Sequence, residues 1–181
     1  MAVLDIRTYG DPVLRQQSKP VGQIDELVRK LAQQMAETMY EGHGVGLAAP
    51  QVGRLHRVVV VDTSLGEDQD HPLLLINPRI AEVEGEETME EGCLSVPEIF
   101  ESVARAAKVA VEYQDLGGQP RRLECDGLMA RVLQHEADHL DGILFIDRVS
   151  LLKRQLLRSK LKELAEQPGA RSPESNGKVI I

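Results

Sequence analysis

The stretch QHEADHLDG, Gln134 to Gly142, sets His135 and His139 four residues apart with Glu136 between them. Residues i and i+4 share one face of a helix, so two imidazoles at this spacing can hold one metal ion. The neighbouring carboxylate can then work on water bound to that ion. A catalytic metal of this kind takes three protein ligands and keeps a position open. The stretch supplies two.

The third ligand has several candidate sources. The continuation H-E-x-x-H-x-x-G-x-x-H matches through Gly142 and then has Phe145 where the last histidine would stand. A glutamate from a later helix is the thermolysin-type answer, but Glu163 and Glu166 lie on a basic, solvent-facing helix. Upstream, EEGCLSVPE offers the soft ligand Cys93, and the preceding Gly92 would let its backbone approach another element closely. The competing reading of Cys93 is a buried, inert thiol, a common fate for free cysteine. Cys125 has no comparable context and reads as such a residue.

The elements that must position these groups are legible as patterns. Ile24–Tyr40 carries Leu27, Leu31, Met35 and Met39 at helical spacing and stops at Gly42. A Gly- and Ala-rich loop, GHGVGLAAPQVG, follows. Strand-like blocks then occupy Arg57–Asp62, Leu73–Asn77, Lys108–Tyr113 and Arg121–Cys125. No regular helical crossovers separate them, which favours antiparallel or mixed strands over a doubly wound parallel sheet. Asp126 can cap and Gly142 can stop the helix that bears the histidines. Leu128, Val132, His135 and His139 form one stripe on it, so the histidines continue an apolar face into the core. A last amphipathic helix spans about Ser150 to Glu166, with Leu152, Leu156, Leu157, Leu161 and Leu164 on one side and Lys153, Arg154, Arg158, Lys160 and Lys162 on the other. The fold class is therefore α+β: strands packed around a central metal-binding helix, plus an N-terminal and a C-terminal helix. Residues 1–167 are expected to form a single catalytic domain, and 168–181, rich in Pro, Gly and Ser, a disordered tail.

Bulk properties narrow the function. The 181 residues carry a net charge of -8, which opposes generic DNA or RNA binding because phosphate contact needs a basic face. No apolar run is long enough for a membrane span, and Asp5 and Arg7 interrupt any leader-like stretch. Two cysteines do not make a disulfide framework, so a reduced cytoplasm is the expected compartment.

Three segments together, GVGLAAPQ (Gly44–Gln51), EGCLS (Glu91–Ser95) and QHEADH (Gln134–His139), resemble in order the signature motifs of the bacterial peptide deformylases. The resemblance extends from IRTYGDPVLR to the helix after LFIDR. It implies hydrolysis of the N-formyl group from the formylmethionine that begins new polypeptides, with release of formate. It implies one divalent metal, iron(II) natively with zinc, nickel or cobalt as substitutes, bound by Cys93, His135 and His139. Metal-bound hydroxide would attack the formyl carbonyl with Glu136 as general base. The Gln51 side chain and the Leu94 N–H would stabilise the oxyanion, and Gly46 would hydrogen-bond the substrate backbone. For the methionine side chain, Val45, Leu128 and Val132 are the candidate walls, with plain core packing the alternative for each. Arg131 is a candidate for the mouth, as is His43, which otherwise reads as a surface histidine. In some members of the family the last helix resembles a ribosome-docking element; its basic side otherwise reads as a solvated face.

Overall fold

The computed structural model describes residues 3–64, 72–166 and 179–181. Its centre is a five-stranded antiparallel sheet in the order β1-β2-β3-β6-β7, built from β1 (Gly46–Ala48), β2 (Val58–Val61), β3 (Leu73–Glu84), β6 (Lys108–Gln114) and β7 (Pro120–Asp126). A separate antiparallel hairpin joins β4 (Glu87–Cys93) to β5 (Val96–Arg105). The helices are α1 (Glu26–Glu41), α2 (Gly127–Leu140), α3 (Leu151–Leu156) and α4 (Arg158–Glu166).

The four valines of β2 show how the sheet is covered on both faces. Alternate strand residues point to opposite sides. Val58 and Val60 join the cluster that includes Met35 and Met39 of α1. Val59 and Val61 join the cluster that includes Ala130, Val132 and Leu133 of α2. A third cluster places Cys93, Val96 and Ile99 of the hairpin region against Leu14, Phe145, Ile146 and Leu161. The helix that carries the histidines is thus enclosed between the sheet and the hairpin.

Several boundaries follow from capping. Asp25 begins α1 and its carboxylate accepts the Val28 N–H. Gly142 follows α2 with φ +75, and a Cβ there would lie 2.8 Å from the Arg15 backbone, so glycine alone suits this stop.

Four readings need correction. Leu27 is 75% exposed, and the neighbouring Val28 packs toward the core in its place. The Gly- and Ala-rich loop is in fact β1 followed by a 3-10 turn at Ala49–Val52. The long β4–β5 hairpin has no counterpart among the expected strands, because ETMEE and FESVAR lack a clean apolar alternation. The single last helix is broken at Leu157 into α3 and α4; Leu152 and Leu156 face solvent while Leu161 is buried. Its basic side is partly neutralised: Lys153 pairs with Glu101 at 2.8 Å and Arg154 with Asp147 at 3.2 Å, while Lys160 donates to the Glu98 carbonyl at 2.6 Å. The expected tail, 168–181, falls mainly outside the described residues, which omit 167–178. Its last three, 179–181, are described, and Ile180 and Ile181 are buried.

Candidate metal centre and active site

α2 presents His135 and His139 from one face, and the end of β4 brings Cys93 to them. One ligand atom from each of Cys93, His135 and His139 lies within 4.8 Å of the others, and all three residues are buried. Cys93 Sγ is 3.2 Å from His139 Nε2. Among the described residues this is the group of His, Cys, Asp and Glu whose atoms converge tightly enough to hold a metal ion. Glu163 and Glu166 are exposed on α4, so the later-glutamate alternative has no support. Phe145 stacks on the His135 ring at 6.0 Å between centroids and closes that side of the centre.

The two imidazoles are held in the neutral form that suits a cation, whereas the thiol would need the cation to ionise. His135 Nδ1–H donates to Glu91 Oε2 at 3.0 Å, which fixes the tautomer and leaves Nε2 with its lone pair. That Nε2 is buried without a hydrogen-bond partner. Burial lowers the pKa of both histidines, and for His139 the neighbouring His135 and Arg105 push the same way, so neutral imidazoles are favoured. Burial and the charge of Glu136 push the Cys93 thiol well above its ordinary range, opposed by the Ser95 and Val96 N–H groups. An unpartnered imidazole nitrogen and a buried thiol facing one point are a costly arrangement on their own. A divalent cation there would satisfy both and would favour the thiolate. The residues fit the group.

Glu136 is fully buried, and neither carboxylate oxygen has a hydrogen-bond partner. Burial raises its pKa well above the ordinary carboxylate value, despite the opposing charge of Arg105. Gly46 of β1 makes room for it: a Cβ at that position would lie 2.6 Å from Glu136 Oε1 and 2.7 Å from Val132 Cγ1. Gly46→Ala should therefore displace the carboxylate and lower kcat/KM about a hundredfold, the scale of a 1 Å misplacement. Circular dichroism should remain that of the folded protein. Retained activity would mean that Glu136 and Val132 can yield.

Gln51 lies in the 3-10 turn, where its Oε1 accepts the Ala48 N–H at 2.7 Å. This turns Nε2 toward the centre, 3.6 Å from Cys93 Sγ. The Leu94 N–H is beside the same thiol in sequence and donates to the Ile181 main-chain oxygen at 3.3 Å. Val45 and Val132 are buried in one cluster with the half-buried Leu128 against it, so the three candidate pocket walls share a region. His43 is exposed, and Cys125 sits half-buried on β7 away from the centre.

Two readings change here. Arg131 is 3% exposed and donates to Glu91 Oε1 at 2.6 Å, so it belongs to the interior rather than a mouth. Gly92 clears space for a ring instead of a helix, since a Cβ would meet Phe100 Cε1 at 2.4 Å. Sequence reasoning also missed the groups behind the ligands. Arg105 Nε and Nη2 grip Glu91 at 2.6 and 2.9 Å, and its Nη1 reaches Asp138 at 2.8 Å. Arg148 closes on Asp138 from the other side. Burial would raise the Glu91 pKa, but the hydrogen bonds from His135 and Arg105 and their charges outweigh it and hold the carboxylate far below its usual range. No local pattern marks these partners, which lie on β4, β5, α2 and, for Arg148, beyond the turn that follows α2, and meet only in the fold.

Residues 3–155 match the profile of the polypeptide deformylases. The chain belongs to that family. It is 52% identical over 163 residues to a peptide deformylase of Nitrosococcus oceani, covering 90% of this chain and 96% of the relative. A peptide deformylase of Neisseria gonorrhoeae is also 52% identical with the same coverage. The crystal structure of a peptide deformylase from Legionella pneumophila superposes with a TM-score of 0.84 at 42% identity, covering 91% of this chain and 96% of that one. A peptide deformylase from Synechococcus elongatus, solved in complex with actinonin, superposes with a TM-score of 0.80 at 46% identity, covering 91% of this chain and 86% of that one. The family is one of enzymes that remove the N-formyl group from nascent polypeptides, and the α+β architecture is the family's own. Among the described residues no helix is long and apolar enough to cross a membrane.

Proposed function

We propose that this deformylase hydrolyses the formamide of N-terminal formylmethionine, releasing formate, at a centre where Cys93, His135 and His139 hold one divalent metal ion. The convergence of these three buried ligands beside an unpartnered Glu136 carries the reading. A thiolate with two imidazoles suits iron(II), the metal implied by resemblance, and equally zinc, with nickel and cobalt as substitutes. When bound, the metal would acidify a water molecule and polarise the formyl oxygen.

The chain's own groups do the rest. Glu136 accepts a proton from the attacking water and delivers it to the amine nitrogen as the C–N bond breaks. That delivery matters because an amine anion is a very poor leaving group. The Leu94 N–H and Gln51 Nε2 donate to the oxygen that gains charge at the tetrahedral carbon. Ala48 steadies the Gln51 side chain, and Glu91 fixes the plane of His135. Gly46 leaves β1 bare so that substrate backbone can lie along it, and Val45, Leu128 and Val132 receive the methionine side chain. A substrate that emerges from the ribosome assigns this work to the cytoplasm.

The test is anaerobic purification with metal analysis, followed by formate release from a short formyl-Met peptide on the same sample. One metal per chain and formate release are expected. Cys93→Ala should lose the metal and at least about a hundredfold in rate, whereas Cys125→Ala should keep both. Full metal occupancy in Cys93→Ala would overturn this ligand set.

A further inference from the structure

Ile180 and Ile181 lie against the residues assigned above to the substrate. The Val45 N–H donates to the Ile180 oxygen at 3.0 Å, the Ile181 N–H donates to the Gly92 oxygen at 3.2 Å, and the Leu94 N–H donates to the Ile181 oxygen at 3.3 Å. Ile180 also forms a parallel bridge with Gly44. The segment thus bridges the residues just before β1 to the end of β4 through main-chain hydrogen bonds, the way an extended peptide adds to a strand edge. Val179 is partly exposed, while Ile180 and Ile181 are 1% and 2% exposed.

The side chains reinforce the placement. Ile181 packs in the cluster of Val45 and Val132, with Leu128 against it, and these are the walls assigned to methionine. Ile180 packs in the cluster of Leu94, Leu47 and Met39. The Leu94 N–H, assigned to the developing oxyanion, is engaged by Ile181. The family profile ends at residue 155, so this segment lies beyond the family match. Residues 167–178 connect it to α4, and a stretch of that length can extend over roughly 40 Å.

We propose that Val179–Ile181 is a pseudosubstrate strap that occupies the active-site cleft of its own chain and must leave before a formyl peptide can bind. The inference rests on the assignment of this cleft to the substrate. The strap presents an Ile side chain and main-chain amides but no formyl group, so it fills the site without being turned over. A tethered ligand acts at an effective concentration in the millimolar range, so even weak intrinsic affinity closes most of the population. The apparent affinity for substrate then falls by the fraction of open molecules.

The experiment compares the full chain with a protein ending at Gln167, using formate release and amide hydrogen exchange. Removing the strap should lower KM for a short formyl-Met peptide by about three- to tenfold with kcat unchanged. The Val45 and Leu94 amides should exchange faster in the shortened protein. A synthetic Lys-Val-Ile-Ile peptide, the sequence of residues 178–181, should inhibit the shortened protein competitively and slow exchange at both amides. If the shortened protein does not fold, Ile181→Asp and Ile180→Asp in the full chain should give the same KM decrease. Equal KM values with unchanged exchange at Val45 and Leu94 would overturn the strap, and a fall in kcat would make the segment structural. If no variant releases formate, the deformylase assignment fails instead. The exchange data then still decide whether the strap occupies the cleft.

Discussion

Glu136→Ala is expected to leave metal content unchanged and to lower kcat/KM for a short formyl-Met peptide by at least about a hundredfold, the lower end of the range for a general base. The reasons are geometric and electrostatic. Its two oxygens are buried without partners, so the carboxylate is not committed to holding the fold. Burial raises its pKa well above the ordinary carboxylate value, the direction that makes a carboxylate a stronger base. The bare Gly46 backbone lies close against it and limits where its oxygens can lie. Glu136→Gln preserves that shape but cannot accept the proton, so it should be nearly as inactive as the alanine variant. Metal analysis separates a base from a ligand. Loss of the metal in Glu136→Ala would mean that the carboxylate binds the ion, and the proposed proton path would be wrong.

Arg105→Ala should be the most destabilising single change in the region behind the ligands. It strands Glu91 and Asp138, which it now pairs at 2.6 and 2.8 Å with all three side chains nearly inaccessible. Removing one partner of a buried ion pair costs about 3–5 kcal/mol because the remaining charge stays buried and uncompensated. Arg131 still reaches Glu91, and Arg148 still reaches Asp138, which argues for the lower half of that range. Urea unfolding with metal-loaded protein measures it, and a change below about 1 kcal/mol would show that the neighbours take over. The same network sets an acid limit. The Glu91 pKa lies below its unfolded value, so its contribution is fully present above about pH 4.5 and is lost as pH falls toward the folded value. Arg105→Ala raises that pKa, so this variant should lose stability at a higher pH than the parent.

The parts read correctly from sequence are those set by local rules. The His135–Glu136–His139 spacing, the stripe of Leu128 and Val132, the Gly142 stop and the alternation in β2 all depend on residues within a turn or a strand of one another. α1, α2 and the strands β2, β6 and β7 appear close to their expected places, while β3 starts at the expected Leu73 but runs on past Asn77 to Glu84. Leu27 misled because a four-residue spacing drifts round a helix of 3.6 residues per turn, so the far end of the stripe rotates out. The last helix misled because its leucines outnumber what the neighbouring surface can cover, and Leu157 is where the chain turns to bury Leu161.

The sequence by itself determined the chemistry on offer: two imidazoles and a carboxylate on one helical face, a thiol in a distant segment, and an amide in a Gly- and Ala-rich stretch. Only the tertiary structure decided which of these meet. Cys93 and His139 are 46 residues apart yet 3.2 Å apart in space, because buried side chains of α2, Arg131 and His135, bond Glu91 of β4 and draw the two elements together. The Glu91–Arg105–Asp138 network behind them, and the bridge of Ile180 to Gly44, arise in the same way. Local propensity constrains neighbours in the chain; contacts between distant segments are fixed by burial and by the need to pair every buried charge and amide, which no single segment can satisfy alone.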